Sequence, residues 1–191
     1  SATEPRRKRE DIKNALLKAK ELLQKDNGKL WGKNLWHENI LFQDYNDTIY
    51  SLKKLKGSKT DDSILYYKKL PKDTLSKTNT VQEYEGEKYA TVLADDFYMN
   101  DESATVIHEL FHRQHFEILD AKDIKLKADP VPYLDNFDAR ELLRLEYEAL
   151  RNALRSIDNK EDQLKIETSI TDALLFRKMR QGKYKEFLQL E

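Results

Sequence analysis

The sequence predicts an α+β fold. A helix-patterned segment opens the chain, residues 39–70 and 80–94 are β-patterned, and helical periodicity returns from Asp101 onward. Neither an internal repeat nor a low-complexity linker interrupts this order. The 191 residues fit a single domain spanning 1–191, able to bury a core without staples. The expected architecture is an N-terminal helix, a small mostly antiparallel sheet, a helix carrying a His-Glu-x-x-His motif, and long C-terminal helices.

Residues 5–27 read as an amphipathic helix: Ile12, Ala15, Leu16, Ala19, Leu22 and Leu23 recur at helical spacing between Pro5 and Gly28. An aromatic turn region follows, with Leu30-Trp31-Gly32 and Leu35-Trp36. Ile40-Leu41-Phe42 and Thr48-Ile49-Tyr50 flank Tyr45-Asn46-Asp47 as a hairpin. Ile64–Tyr67 is a further strand after the polar loop Gly57–Asp62. A second hairpin joins Thr80–Tyr84 to Lys88–Leu93 through Glu85-Gly86-Glu87. One helix is predicted over 102–118, with Asn100 and Asp101 as caps and Glu102 in its first turn. After a polar stretch with Pro130 and Pro132, helices cover about 136–157 and 160–180.

Composition narrows the function classes. Aromatic content (10 Tyr, 7 Phe, 2 Trp) is too high for disorder, although 36% of residues are charged. A net charge of −1 gives no footprint for nucleic acid. The run Arg6-Arg7-Lys8-Arg9 leads straight into helix-patterned residues and reads as a solvated helix start. No stretch is long and apolar enough to insert into a membrane. With no cysteine, any zinc site must use His and carboxylate ligands. Ser1-Ala2-Thr3 does not resemble a natural start, so removal of an N-terminal segment is expected.

The chemistry concentrates in His108-Glu109-Leu110-Phe111-His112. Four-residue spacing places both imidazoles on one helix face, a turn apart, where they can share a Zn2+ ion. Glu109 can lean over such an ion without ligating it. From there it can take a proton from activated water and pass it to a leaving amine. His115 falls near the same face but a turn further on, and reads as a residue lining the cleft. A third ligand must come from elsewhere. The helix from Phe137 has an apolar stripe of Ala139, Leu142, Leu143, Ala149, Leu150, Ala153 and Ile157, with Glu146 in its middle. A carboxylate on a buried face is neutral, paired or metal-bound. Glu146 is therefore either a ligand or the partner of Arg140, Arg144 or another arginine.

The segment His108–Arg113 resembles the zinc helix of gluzincin-type metallopeptidases, which are zincins. More narrowly, the chain resembles an uncharacterised bacterial family of predicted secreted HExxH proteins. Further likeness lies in Leu30-Trp31-Gly32…Leu35-Trp36…Leu41-Phe42 and in Asn79-Thr80…Tyr84-Glu85-Gly86…Tyr89. It continues through Leu134-Asp135…Asp138-Ala139-Arg140…Leu145-Glu146-Tyr147…Ala149-Leu150 and Asp172-Ala173-Leu174…Phe176-Arg177. The resemblance implies a zincin-like fold, Zn2+ as cofactor, a peptide or protein substrate and a secreted or extracytoplasmic location. It also implies that the strand over Tyr89–Leu93 edges the cleft and pairs with extended substrate. The family often has Gln at the position of His115. Its members continue past the last helix into an Asn-Glu-Gly-x-Ala-Glu-Tyr type helix, where gluzincins carry their third ligand. This chain stops at Glu191, close to where that helix would begin: either it is a fragment truncated before the third ligand, or Glu191 stands near that ligand, and under the resemblance Glu146 becomes a supporting carboxylate.

Two functions follow. One is a zinc-dependent peptide hydrolase with His108 and His112 as ligands, Glu109 as base, and Tyr147, His115 or Tyr133 as helper at the oxyanion. The other is a catalytically incomplete zincin-like binding or structural domain. A third reading makes the helices after 136 a metal-independent interaction module.

Overall fold

The computed structural model describes residues 3–94, 102–118 and 136–184. Asn100, Asp101, Pro130, Pro132, Tyr133, Leu134, Asp135 and Glu191, which the sequence reading singled out, lie outside them. So does the side chain of His115. Contacts group the chain into two compact units, residues 1–123 and 124–191.

The first unit opens with α1 (Thr3–Asp26). Ile12, Ala15, Leu16, Ala19 and Leu23 are its buried stripe, while Leu22 is exposed. The helix ends where Asn27 and Gly28 turn left-handed, at φ 47° and 77°. Six strands follow: β1 (Ile40–Gln43), β2 (Thr48–Ser51), β3 (Lys59–Thr60), β4 (Tyr66–Lys69), β5 (Thr80–Tyr84) and β6 (Glu87–Leu93). Then comes α2 (Ser103–Ile118). The sheet order is β3-β4-β2-β1-β6-β5. Four of its pairings are antiparallel; β1 and β6 pair in parallel, with Phe42 opposite Val92. The expected α+β class is thus observed, with one mixed sheet.

The sheet has two buried faces. Ile40, Phe42, Ala90 and Val92 point to one side and pack with the stripes of α1 and α2, including Leu16, Val106 and Leu110. Leu41, Ile49, Tyr84 and Tyr89 point to the other side, where Leu55, Leu70 and Leu75 cover them. Strand alternation explains this split along β1. Fully burying one such side chain contributes roughly 1.5–3 kcal/mol.

Turn chemistry fixes the registers. Glu85 and Gly86 both take positive φ (50° and 78°), the demand of a two-residue type I′ hairpin. β6 therefore starts at Glu87, one residue earlier than its pattern suggests. Between β1 and β2, the buried Asp44 carboxylate accepts from the amides of Asn46 and Thr48 at 2.9 Å each. Its other oxygen accepts from Tyr50 Oη at 3.0 Å and faces Lys8 Nζ of α1 at 3.3 Å. β4 starts two residues later than expected. The Asp62 side chain accepts from the amides of Ile64 and Leu65, which holds 62–65 in a turn. The polar loop contains the short β3, whose two exposed residues have no period to read.

The second unit is a helical hairpin of α3 (Phe137–Asp158) and α4 (Gln163–Lys183). Asn136 caps α3 by accepting from the Asp138 amide, and Asp162 caps α4 by accepting from Leu164. Ala139, Ala149, Ala153 and Ser156 of α3 and Ala173 of α4 are buried. Leu150, Leu154 and Ile157 are exposed. The apolar arc of α3 is wider than one partner helix covers, and its small residues lie in the covered half. No helix among the described residues is long and apolar enough to cross a membrane.

Candidate metal centre

The geometry of α2 sorts its residues by angle. Ser103, Val106, Leu110 and Gln114 share its buried face. His108 and His112 point to the opposite side, and the His108 side chain is 63% exposed. Their Nε2 atoms stand 2.9 Å apart and their ring centroids 4.5 Å apart. Two nitrogen ligands at roughly 2.0–2.1 Å from a tetrahedral ion would stand about 3.3 Å apart. The 2.9 Å contact is a hydrogen bond between the rings, about 0.4 Å short of that separation, so the two nitrogens lie side by side on one helix face.

Glu109 lies between these faces. Its side chain is buried, and Oε1 is 3.9 Å from His108 Nε2. Oε2 is buried without a hydrogen-bond partner among the described residues. Burial pushes its carboxyl above the ordinary carboxylate range, and the nearby His108 opposes that shift. An uncompensated buried carboxylate is costly, and such groups cluster where chemistry or an ion needs them. The described residues thus bring together two imidazole nitrogens and, beside them, a buried carboxylate. Among the described residues, no group of three or more His, Cys, Asp or Glu side chains is arranged to hold a metal.

The helix start differs slightly from expectation. Glu102 precedes the first turn, and its carbonyl accepts from Val106 N at 3.0 Å. Its carboxylate consequently sits one position before the place assigned to it. At the other end of the motif, Arg113 Nε donates to the Lys88 carbonyl at 3.1 Å, and Nη2 is 3.4 Å from His37 Nε2. These contacts tie α2 to the start of β6 and to the loop before β1. Burial, then the Arg113 guanidinium, holds the His37 imidazole below its ordinary pKa. Nothing in the spacing of the chain identifies this partnership, because one acceptor is a backbone carbonyl.

One expectation about the cleft is corrected. β6 is an inner strand, flanked by β1 and β5, so Tyr89–Leu93 is no edge. At its end, Leu93 N donates to the Asn79 side chain and Ala94 N to the Gln43 carbonyl. The sheet edge nearest α2 belongs to β5, which follows from the tight Glu85-Gly86 hairpin.

Glu146 lies in the second unit, 4% exposed. Arg180 Nη2 donates to its Oε2 at 2.6 Å and Arg177 Nη1 to its Oε1 at 3.2 Å. Of the two readings open for Glu146, the ion pair is the one present, made with α4 rather than with Arg140 or Arg144. Arg144 instead bonds Glu141 and Glu148 on the opposite face. Tyr147 is exposed on α3.

No family model, curated protein or solved structure matches this chain. The functional reading therefore rests on the residues themselves.

Proposed function

We propose that the chain carries the core of a zinc-dependent peptide hydrolase, with His108 and His112 as two of the zinc ligands and Glu109 as the general base. The observation behind this is the adjacent His108–His112 pair beside a buried carboxylate with an unpartnered oxygen. Zinc, when bound, supplies a Lewis acid that polarises the scissile carbonyl and lowers the pKa of water to about 7. Glu109 accepts the proton as the water oxygen adds to the carbonyl carbon. It then delivers that proton to the amide nitrogen as the C–N bond breaks, leaving a carboxylic acid and an amine.

Among the described residues β5 is the sheet edge beside α2, a place where an extended peptide could add as a further strand. Glu146 is committed to two arginines, so this reading draws no ligand from it. The test is metal analysis with a casein hydrolysis assay. About one zinc per chain is expected in the wild type and none in His108→Ala. Glu109→Gln should keep the metal and lose roughly 10²–10⁴-fold in rate. Hydrolysis unchanged by Glu109→Gln would remove Glu109 as the base, and no hydrolysis by the wild type would instead mark a binding or structural domain.

A further inference from the structure

We infer that the α3–α4 hairpin docks face to face with the same hairpin of a second copy of the chain, forming a four-helix bundle. The contact uses one side of the hairpin and needs no zinc. The Asp138–Lys183 ion pair spans the other side. At about 100° per residue, Tyr147, Leu150, Leu154 and Ile157 of α3 turn away from that pair, and so do Ile170 and Leu174 of α4. All six are between 40% and 64% exposed. The small residues Ala149, Ala153 and Ala173 fill the seam within the hairpin, and the large ones are left on its outer face. Leu143 extends the α3 row, whose steps of four, three, four and three residues are those of a helix that meets a second layer of helices.

Area and charge identify the occupant as a second copy. Six such side chains leave on the order of 600 Å² of apolar surface open. That is the upper end of what a monomer carries, and most of the roughly 800 Å² that each partner brings to a standard interface. The charges flanking this face are arranged for two-fold pairing. Arg140 and Asp158 lie on its α3 margin, five helical turns apart, with Ala149 midway between them. Glu167 and Lys178 lie on its α4 margin, with Asp172 and Ala173 midway. The bonds of Glu146 to Arg177 and Arg180, and of Asp138 to Lys183, set Ala149 level with Ala173 and Leu174. One two-fold axis, perpendicular to the helices at this level, therefore serves both margins. It brings Arg140 onto Asp158 of the second copy, and Glu167 onto its Lys178. A self-complementary patch of this kind closes as a symmetric dimer, with every neighbouring helix antiparallel.

The test is the mass of the full chain in solution, by sedimentation over about 1–100 μM, where an interface of this size is occupied. Association to twice the 22.6 kDa of the chain is expected. Leu154→Glu places a carboxylate in the contact twice per dimer and should leave only monomer. Its side chain is exposed in the single chain, so helicity by circular dichroism should hold. Two exposed positions give a second, milder handle. Asp158→Arg sets like charges opposite each other twice per dimer, and should weaken it about tenfold at low salt. Adding Arg140→Asp should restore the wild-type dissociation constant to within about twofold. A chain that stays monomeric throughout overturns the bundle. In that event a lowered melting temperature of Leu154→Glu assigns the face to contacts within its own chain. A dimer indifferent to Leu154→Glu, or one weakened by Asp158→Arg and not rescued by the swap, overturns the bundle as well.

Discussion

Glu109 and Glu146 are both helical carboxylates and both 4% exposed, yet they are treated in opposite ways. Glu146 receives two guanidinium groups, one of them from Arg180 at 1% exposure. Glu109 stands beside two imidazoles with one oxygen unpartnered, and its carboxyl is pushed up by burial. Burial alone therefore does not mark a site. A buried carboxylate whose charge is answered by arginine fixes helix packing. One left without a guanidinium partner beside two imidazoles retains the capacity to hold a proton.

The largest effect should come from breaking the satisfied pair. Glu146→Ala removes the carboxylate that the buried Arg180 donates to, so denaturant unfolding should show a loss of about 3–5 kcal/mol. Replacing both ends, Glu146→Leu with Arg180→Met, should restore most of that loss, because a packed apolar pair removes both desolvation costs. Next in size is the zinc linkage. At a hundredfold excess over its Kd, zinc should stabilise the wild type by about 2.7 kcal/mol and His108→Ala not at all. Glu146→Ala should keep this zinc increment on its lower baseline. Loss of the increment in Glu146→Ala would make Glu146 a ligand and erase the contrast drawn above.

A smaller effect, of opposite sign, is expected at Glu109. In metal-free protein, Glu109→Gln replaces a buried carboxyl that lacks its full complement of hydrogen bonds. Stability should hold or rise by about 1 kcal/mol, read by thermal melting. A loss as large as that of Glu146→Ala would mean that Glu109 is a structural carboxylate after all.

The contrast also explains what the sequence made legible. Four-residue spacing fixes the relative direction of two helical side chains, so the facing of His108 and His112 followed from the motif alone. The apolar stripe around Glu146 likewise announced a buried carboxylate. Its partners were hidden, because Arg177 and Arg180 reach it only through the register of the α3–α4 hairpin. The two hairpins of the sheet were visible in their turn residues. The parallel pairing of β1 with β6 was not, since alternation reveals which face a residue takes but not which strand lies beside it. The inner placement of β6 was hidden for the same reason, whereas the later start of β4 comes from the Asp62 side chain accepting from the Ile64 and Leu65 amides, a turn signal that the sequence does carry.

Asp62 offers the smallest test and a third kind of carboxylate, satisfied yet exposed. Its oxygens meet Lys13 Nζ at 2.8 Å and the amides of Ile64 and Leu65 at 3.0 and 3.2 Å. The Lys13 bond, then the two amides, lowers its pKa from 3.8 to about 2. A depressed carboxylate contributes stability that is fully present above its unfolded value and fades as pH falls through its folded value. Asp62→Asn keeps an acceptor oxygen for the turn but loses the charge. Its melting temperature should therefore lie slightly below wild type at pH 5–7, with the gap closing between pH 3.8 and about 2. Added salt should narrow the gap at neutral pH, since solvent and ions reach this pair freely. A gap as large as that of Glu146→Ala, or one indifferent to salt, would show that exposure does not discount the pair. The distinction between the two buried carboxylates would then need a cause other than desolvation.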